Sequence, residues 1–263
     1  MADTPQGPSS EESFKSGPWT DLGLTLPIFV GYHLGVIFLP VRNAADVVTR
    51  ELVSLADNSL LAYGGLTLAI GAVYVAVLVA AGRGRALHWD RFVTVALEGI
   101  IYAVAMRLVA SYVVGQVAAA SADAPGLSGV AAAWFEPALP DGTLGGLALS
   151  ERFAGLVMSL GAGFYEEIMF RVIGYGLGVQ LLFVLFPEPV PFKRFFVRVG
   201  WAVLLSLVFS GWHYVGTYGD AFHLDSFVFR AVCGLVFTVI YHFRGFAPAV
   251  WTHTLYDAWV LVL

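Results

Sequence analysis

Charge is what this sequence has least of. Only 13% of its 263 residues are Asp, Glu, Lys or Arg, about half the share of an ordinary soluble domain. With 58% hydrophobic residues and a mean hydropathy of +0.77, that scarcity excludes a soluble globular protein. The net charge of -5 excludes the basic surface that nucleic acid requires, so no nucleic-acid partner is expected. A single cysteine, Cys233, excludes an internal disulfide framework and a Cys-rich zinc site. It reads as a small apolar residue in a membrane helix. The first twenty residues carry no apolar run and are rich in Ser, Pro, Gly and acids. No cleavable signal peptide is expected there, and residues 1–20 read as a disordered polar tail. The sequence also lacks the HExxH zinc motif and a nucleophile elbow.

Long apolar runs are what it has instead. A spanning helix needs about 20 mainly apolar residues, and on that basis spans are expected over 22–41, 60–81, 92–117, 197–212, 227–243 and 247–263. The first carries Pro27 and His33, the latter read as a hydrogen-bonded interior residue. The span over 92–117 holds Glu98 and Arg107, nine residues apart and on opposite sides of a helix, so each needs a partner elsewhere. Structural bracing is expected of Glu98, which lies close to the Arg-rich end and can either snorkel or meet Arg91. Residues 43–58 place Val47, Val48, Leu52 and Leu55 at helical spacing between Asp46, Arg50 and Glu51, the pattern of a helix lying in the interface. Residues 121–150 form a long Ala/Pro/Gly-rich loop with Trp134 and Phe135 as interfacial anchors.

Residues 152–186 are apolar for about 52 Å of helix, too long for a perpendicular span. They are expected to tilt strongly or to break near Gly174-Tyr175-Gly176 or Gly178. The fold class is therefore all-α, a polytopic transmembrane bundle of about six to eight helices. It forms one membrane domain over 21–263 that carries its polar motifs in 164–257. Basic loops at Arg83/Arg85/Arg91 and Lys193/Arg194/Arg198 read as cytoplasmic, and 121–150 as external. The C-terminus and His213 then lie toward the outer side.

Against this background three polar constellations are costly to place. A charge near the bilayer centre costs at least about 2.5–3.5 kcal/mol. Gly163-Phe164-Tyr165-Glu166-Glu167-Ile168-Met169-Phe170-Arg171 puts two carboxylates and a guanidinium within six positions. Glu167 and Arg171 share a helical face and can pair, while Glu166 points about 100° away and stays available. Phe209-Ser210-Gly211-Trp212-His213 delivers one imidazole at a helix end. In His253-Thr254-Leu255-Tyr256-Asp257, His253 and Asp257 lie one turn apart. Together they look like one assembled polar centre. Hydrolysis needs an activated water, an oxyanion stabiliser and a proton donor. A buried Glu166 suits the base, His213 can hold the same water, and His253 can donate to the oxyanion.

The order EExxxR, FxxxH and HxxxD, with the run Tyr241-His-Phe-Arg244-Gly-Phe-Ala-Pro-Ala-Val-Trp-Thr-His253 leading into the last, resembles the CPBP family of intramembrane proteases. That family includes the CAAX-processing endopeptidase Rce1 and bacterial relatives linked to bacteriocin processing and immunity. The resemblance covers roughly 156–263. It implies a glutamate-dependent, cofactor-free endopeptidase with Glu166 as base, His213 as its water-holding partner, and His253 with Asp257 on the oxyanion side. Glu167, Arg171 and Phe209 are supporting. Rce1-like members place Asn where this chain has Asp257. An ionised Asp cannot donate to an oxyanion, so Asp257 is either protonated in its apolar site or, as the favoured expectation, accepts from His253 and fixes its tautomer. Membrane lipids and a membrane-anchored or lipidated protein substrate are the implied partners, and a bacterial inner membrane the implied location. Processing of exported proteins with C-terminal anchors, as assigned to the myxosortases, is a further possibility. Two alternatives stay open: a zinc protease using His213, His253 and a Glu, and a non-catalytic immunity factor, adaptor or small transporter.

Overall fold

A computed structural model describes residues 18–39, 59–81, 89–120, 149–215 and 219–262. The tail up to residue 17, the interfacial helix expected over 43–58, the Arg83/Arg85 loop, and Trp134 and Phe135 with the rest of 121–148 lie outside the described residues. Among the described residues the chain is all helix with no strand, in seven helices. These are α1 (Pro18–Phe38), α2 (Leu60–Ala81), α3 (Trp89–Ala120), α4 (Leu149–Leu185), α5 (Pro191–Trp212), α6 (Leu224–Arg244) and α7 (Phe246–Val262). Five of them, α1, α3, α4, α5 and α6, are long and apolar enough to cross a membrane. Many of their large side chains face outward, among them Leu108, Leu181 and Leu204, as expected where the surrounding solvent is lipid.

Packing is antiparallel between helices that follow one another in the chain. Tyr74 on α2 donates to the Leu22 carbonyl near the start of α1, while Tyr63 meets His33 near its end. Trp201 on α5 donates to the Gly174 carbonyl on α4 at 2.9 Å. The starts of α1, α3, α5 and α7 and the ends of α2, α4 and α6 therefore share one end of the bundle. Arg91, Lys193, Arg194, Arg198 and Arg244 all sit at that end, which is accordingly its basic face.

Two long-range contacts fasten the basic face. The carboxylate of Asp21 accepts from the Phe246 backbone N–H at 2.8 Å, capping α7 from a position 225 residues away. The link between α6 and α7 is Gly245 alone, at φ 98° and ψ -172°, a backbone region open essentially to glycine. A Cβ there would also stand 2.7 Å from Asp21 Oδ2. The second fastening is the ion pair of Arg244 with Glu98. Glu98 does brace the fold, but its partner is Arg244 on α6 and not Arg91. Arg107, nine residues further along α3, stacks 4.8 Å from the Trp259 ring on α7.

Of the two alternatives expected for 152–186, the 37-residue α4 excludes the break. It neither ends nor breaks at Gly174, Gly176 or Gly178. It continues without interruption but widens to π-type turns over Ala162–Glu166 and Ile168–Leu177. Such turns are rare and collect at functional sites. His33 is a hydrogen-bonded interior residue as expected, held between Tyr63 (3.2 Å) and Tyr165 (2.7 Å).

Candidate active site

The three constellations come together. α4 supplies Glu166, Glu167 and Arg171, α5 supplies Phe209 and His213, and α7 supplies His253 and Asp257. The close approach of α4 to α7 depends on Gly163. A Cβ at this position would meet the Thr254 hydroxyl and stand 2.9 Å from the Thr254 backbone nitrogen, which no side-chain rotation relieves.

His253 is the hub. Its Nδ1–H donates to Glu167 Oε1 at 2.7 Å, and its Nε2 lies 3.9 Å from Glu166 Oε2 and 3.5 Å from Asp257 Oδ2. Adjacent glutamates on an α-helix diverge by about 100°. In the wider π turn they diverge less, and one imidazole reaches both. The acceptor closest to His253 is Glu167, with Asp257 the more distant of the two.

Glu167 Oε1 is also 3.1 Å from the Arg171 guanidinium, and both side chains are fully buried. Arg171 donates to the Gly234 carbonyl of α6 at 3.2 Å and lies over the Phe209 and Phe237 rings at 4.4 and 5.0 Å. Phe237 in turn stacks on His253 with centroids 4.4 Å apart and planes 19° off parallel. This aromatic floor of Phe209 and Phe237 holds a charge where lipid-like packing alone would reject it. Phe237 and Gly234 had no signal in the sequence beyond membership of an apolar span. Cys233 is buried in the same cluster with Phe209, Phe229 and Phe237, a packing position. The Ser210 hydroxyl is committed to the Phe227 carbonyl at 2.7 Å.

His213 terminates α5. Its Nδ1 lies 2.9 Å from the Phe209 carbonyl, and a carbonyl only accepts, so Nδ1 carries a proton. In the neutral ring Nε2 then presents a lone pair, and it faces Glu166 Oε2 at 4.0 Å. Glu166 is nearly buried, whereas His213 and Asp257 keep 26% and 21% of their side chains exposed. The centre thus opens at the end of the bundle away from the basic face.

Charge balance constrains the protons. Glu166, Glu167 and Asp257 bring three potential negative charges against one guanidinium. An imidazolium at His253, donating from both nitrogens, is the arrangement that these neighbours stabilise. Among the described residues no three His, Cys, Asp or Glu side chains are grouped as metal ligands.

Residues 148–259 match the family model described as type II CAAX prenyl endopeptidase Rce1-like. Over these residues the chain is similar to that family. The Rce1-like segment begins at the start of α4 and contains every residue of the polar centre, while α1, α2 and α3 lie outside it. The match indicates a membrane-embedded protease of the CAAX type acting on a protein substrate. No curated protein and no solved structure matches the chain.

Proposed function

We propose that this protein is an intramembrane endopeptidase in which Glu166 and His213 activate a water, and in which no metal takes part. The observation that carries this reading is the spacing around Glu166 Oε2, with His213 Nε2 at 4.0 Å and His253 Nε2 at 3.9 Å. Polar atoms about 4 Å apart are too far for a direct hydrogen bond and well placed to share one water. A zinc ion bonded at about 2.0–2.1 Å would draw its ligand atoms to roughly 3.4 Å of one another, closer than these stand.

The steps follow from the tautomers. Water donates one hydrogen to Glu166 and one to the His213 Nε2 lone pair, which turns an oxygen lone pair toward the scissile carbonyl carbon. As the C–O bond forms, Glu166 takes the proton, and the carbonyl oxygen gains negative charge that the Nε2–H of His253 stabilises. When the C–N bond breaks, Glu166 returns that proton to the leaving nitrogen, giving an acid and an amine with no net proton change. Glu167 keeps Nδ1–H of His253 directed, Asp257 steadies the imidazolium, and Arg171 with Phe209 supports Glu167.

The substrate follows from where the centre opens. The positive-inside rule makes the basic face cytoplasmic, so the opening faces the opposite side of a bacterial inner membrane. We infer that the substrates are exported proteins held by a membrane anchor and cut near that anchor, rather than prenylated proteins presented from the cytoplasm. To test the chemistry, membranes from cells carrying Glu166→Gln are incubated with purified wild-type protein in ¹⁸O-water, with and without a zinc chelator. New C-termini bearing ¹⁸O in both samples are expected. Their loss with chelator alone would favour the zinc reading, and no new termini in either would favour a non-catalytic role.

A further inference from the structure

The basic face holds a feature that the chemistry above does not use. α4 ends at Leu185 and α5 begins at Pro191, and a cleft of about 570 Å³ lies where they meet, lined by Leu182, Phe183, Leu185, Phe186, Val197 and the charged Glu188. Two guanidiniums stand over one of its walls, Arg194 at 4.7 Å and Arg198 at 5.7 Å from the Phe183 ring centre. The two are four residues apart on α5, on one helical face, where like charges repel. Among the described residues neither forms an ion pair with a carboxylate. Glu188 instead lies 3.9 Å from Lys193 Nζ.

An apolar cleft with two cations stacked on its Phe183 wall, and with its one lining carboxylate, Glu188, next to Lys193, has the complementary pattern of one molecule class, an amphiphile with an anionic head. We propose that this cleft binds a single anionic phospholipid. Its phosphate lies between Arg194 and Arg198 and relieves their repulsion, Lys193 adds positive charge at the edge, and an acyl chain runs along Leu182, Phe186 and Val197. Basic pockets between membrane helices are recurrent sites for anionic headgroups. A zwitterionic lipid brings its own ammonium to the arginine pair and gains less. A free phosphate ion leaves the apolar wall exposed. The proposal stands apart from the protease reading, since it uses none of the residues around Glu166.

The test is native mass spectrometry of the full chain in detergent, titrated with phosphatidylglycerol or with phosphatidylcholine of the same acyl chains. One retained phosphatidylglycerol per chain is expected, preferred over phosphatidylcholine. In Arg194→Gln/Arg198→Gln the phosphatidylglycerol affinity should fall about thirtyfold, the equivalent of about 1 kcal/mol per arginine. Arg194→Lys/Arg198→Lys, which preserves the charge, should keep most of the preference. Glycerol phosphate at millimolar concentration should not displace the lipid. Equal binding of the two lipids by wild type overturns the proposal. So does an unchanged preference in the glutamine variant, or full displacement by glycerol phosphate, which would reduce the site to an ion site. Wild-type binding and competition read the outcome even if a variant fails to fold.

Discussion

Glu167 and His253, 86 residues apart in the chain, meet through a 2.7 Å hydrogen bond inside the bundle. Glu167 is also the ion-pair partner of Arg171, so one carboxylate both directs the imidazole and neutralises the guanidinium. Glu167→Ala should therefore act twice. Leaving Arg171 buried without its countercharge costs about 3–5 kcal/mol, read as a large fall in the thermal unfolding midpoint in detergent. Glu167→Gln keeps an acceptor for one of the two donors, so it should unfold nearer to wild type while still losing most of its proteolysis.

His213 and Asp257 should separate by severity. His213→Ala removes the lone pair that shares the proposed water, and a loss of about 10²–10⁴-fold in cleavage rate is expected, with the unfolding midpoint unchanged because the side chain is partly exposed. Asp257→Asn retains an acceptor at the longer 3.5 Å contact and should reduce the rate far less. Rates of the two variants on the same membrane substrate settle the order. A more severe Asp257→Asn would move Asp257 into the reacting centre.

Gly163→Ala is expected to destabilise the protein by about 1–3 kcal/mol, the range for overpacking a well-packed contact. Thr254→Ala in the same chain should restore only part of the loss, because the Thr254 backbone nitrogen remains 2.9 Å from the added methyl. Thermal unfolding of the single and double variants checks this.

Gly245→Ala places a side chain at φ 98° and against Asp21, and should lower stability by about 1–3 kcal/mol. Asp21→Ala removes the cap on the Phe246 N–H and should cost about 1 kcal/mol or more. Asp21→Asn, whose amide oxygen still accepts, should cost less. Equal midpoints for the three variants would contradict the capping account.

Much of the fold was legible because lipid demands long uninterrupted apolar runs, and seven such runs correspond to α1 through α7. The membership of the polar centre was legible for a related reason: Glu166, Glu167, Arg171, His213, His253 and Asp257 are too costly in lipid to be scattered, so they had to meet. What the sequence hides is geometry set by tertiary contact. The switch of α4 to π turns has no pattern in Gly163–Arg171, and without it the reach of His253 to both glutamates is invisible. For the same reason the nearer partner of His253 is Glu167 and not Asp257, although Asp257 is at the helical spacing that a sequence displays. The pairing of Glu98 with Arg244 spans 146 residues, a distance at which no periodicity reports. Phe237 and Gly234, which support Arg171, look like any other residues of an apolar span.

The central claim is that Glu166 activates the water that cuts a membrane-anchored protein. Its most direct test is terminus-resolved mass spectrometry of membrane proteins from cells carrying either the wild-type chain or Glu166→Gln at equal abundance. The account predicts a defined set of exported proteins that keep an anchor-proximal terminal segment only in the variant. Identical termini in the two strains, with both proteins folded and membrane-inserted, would contradict it.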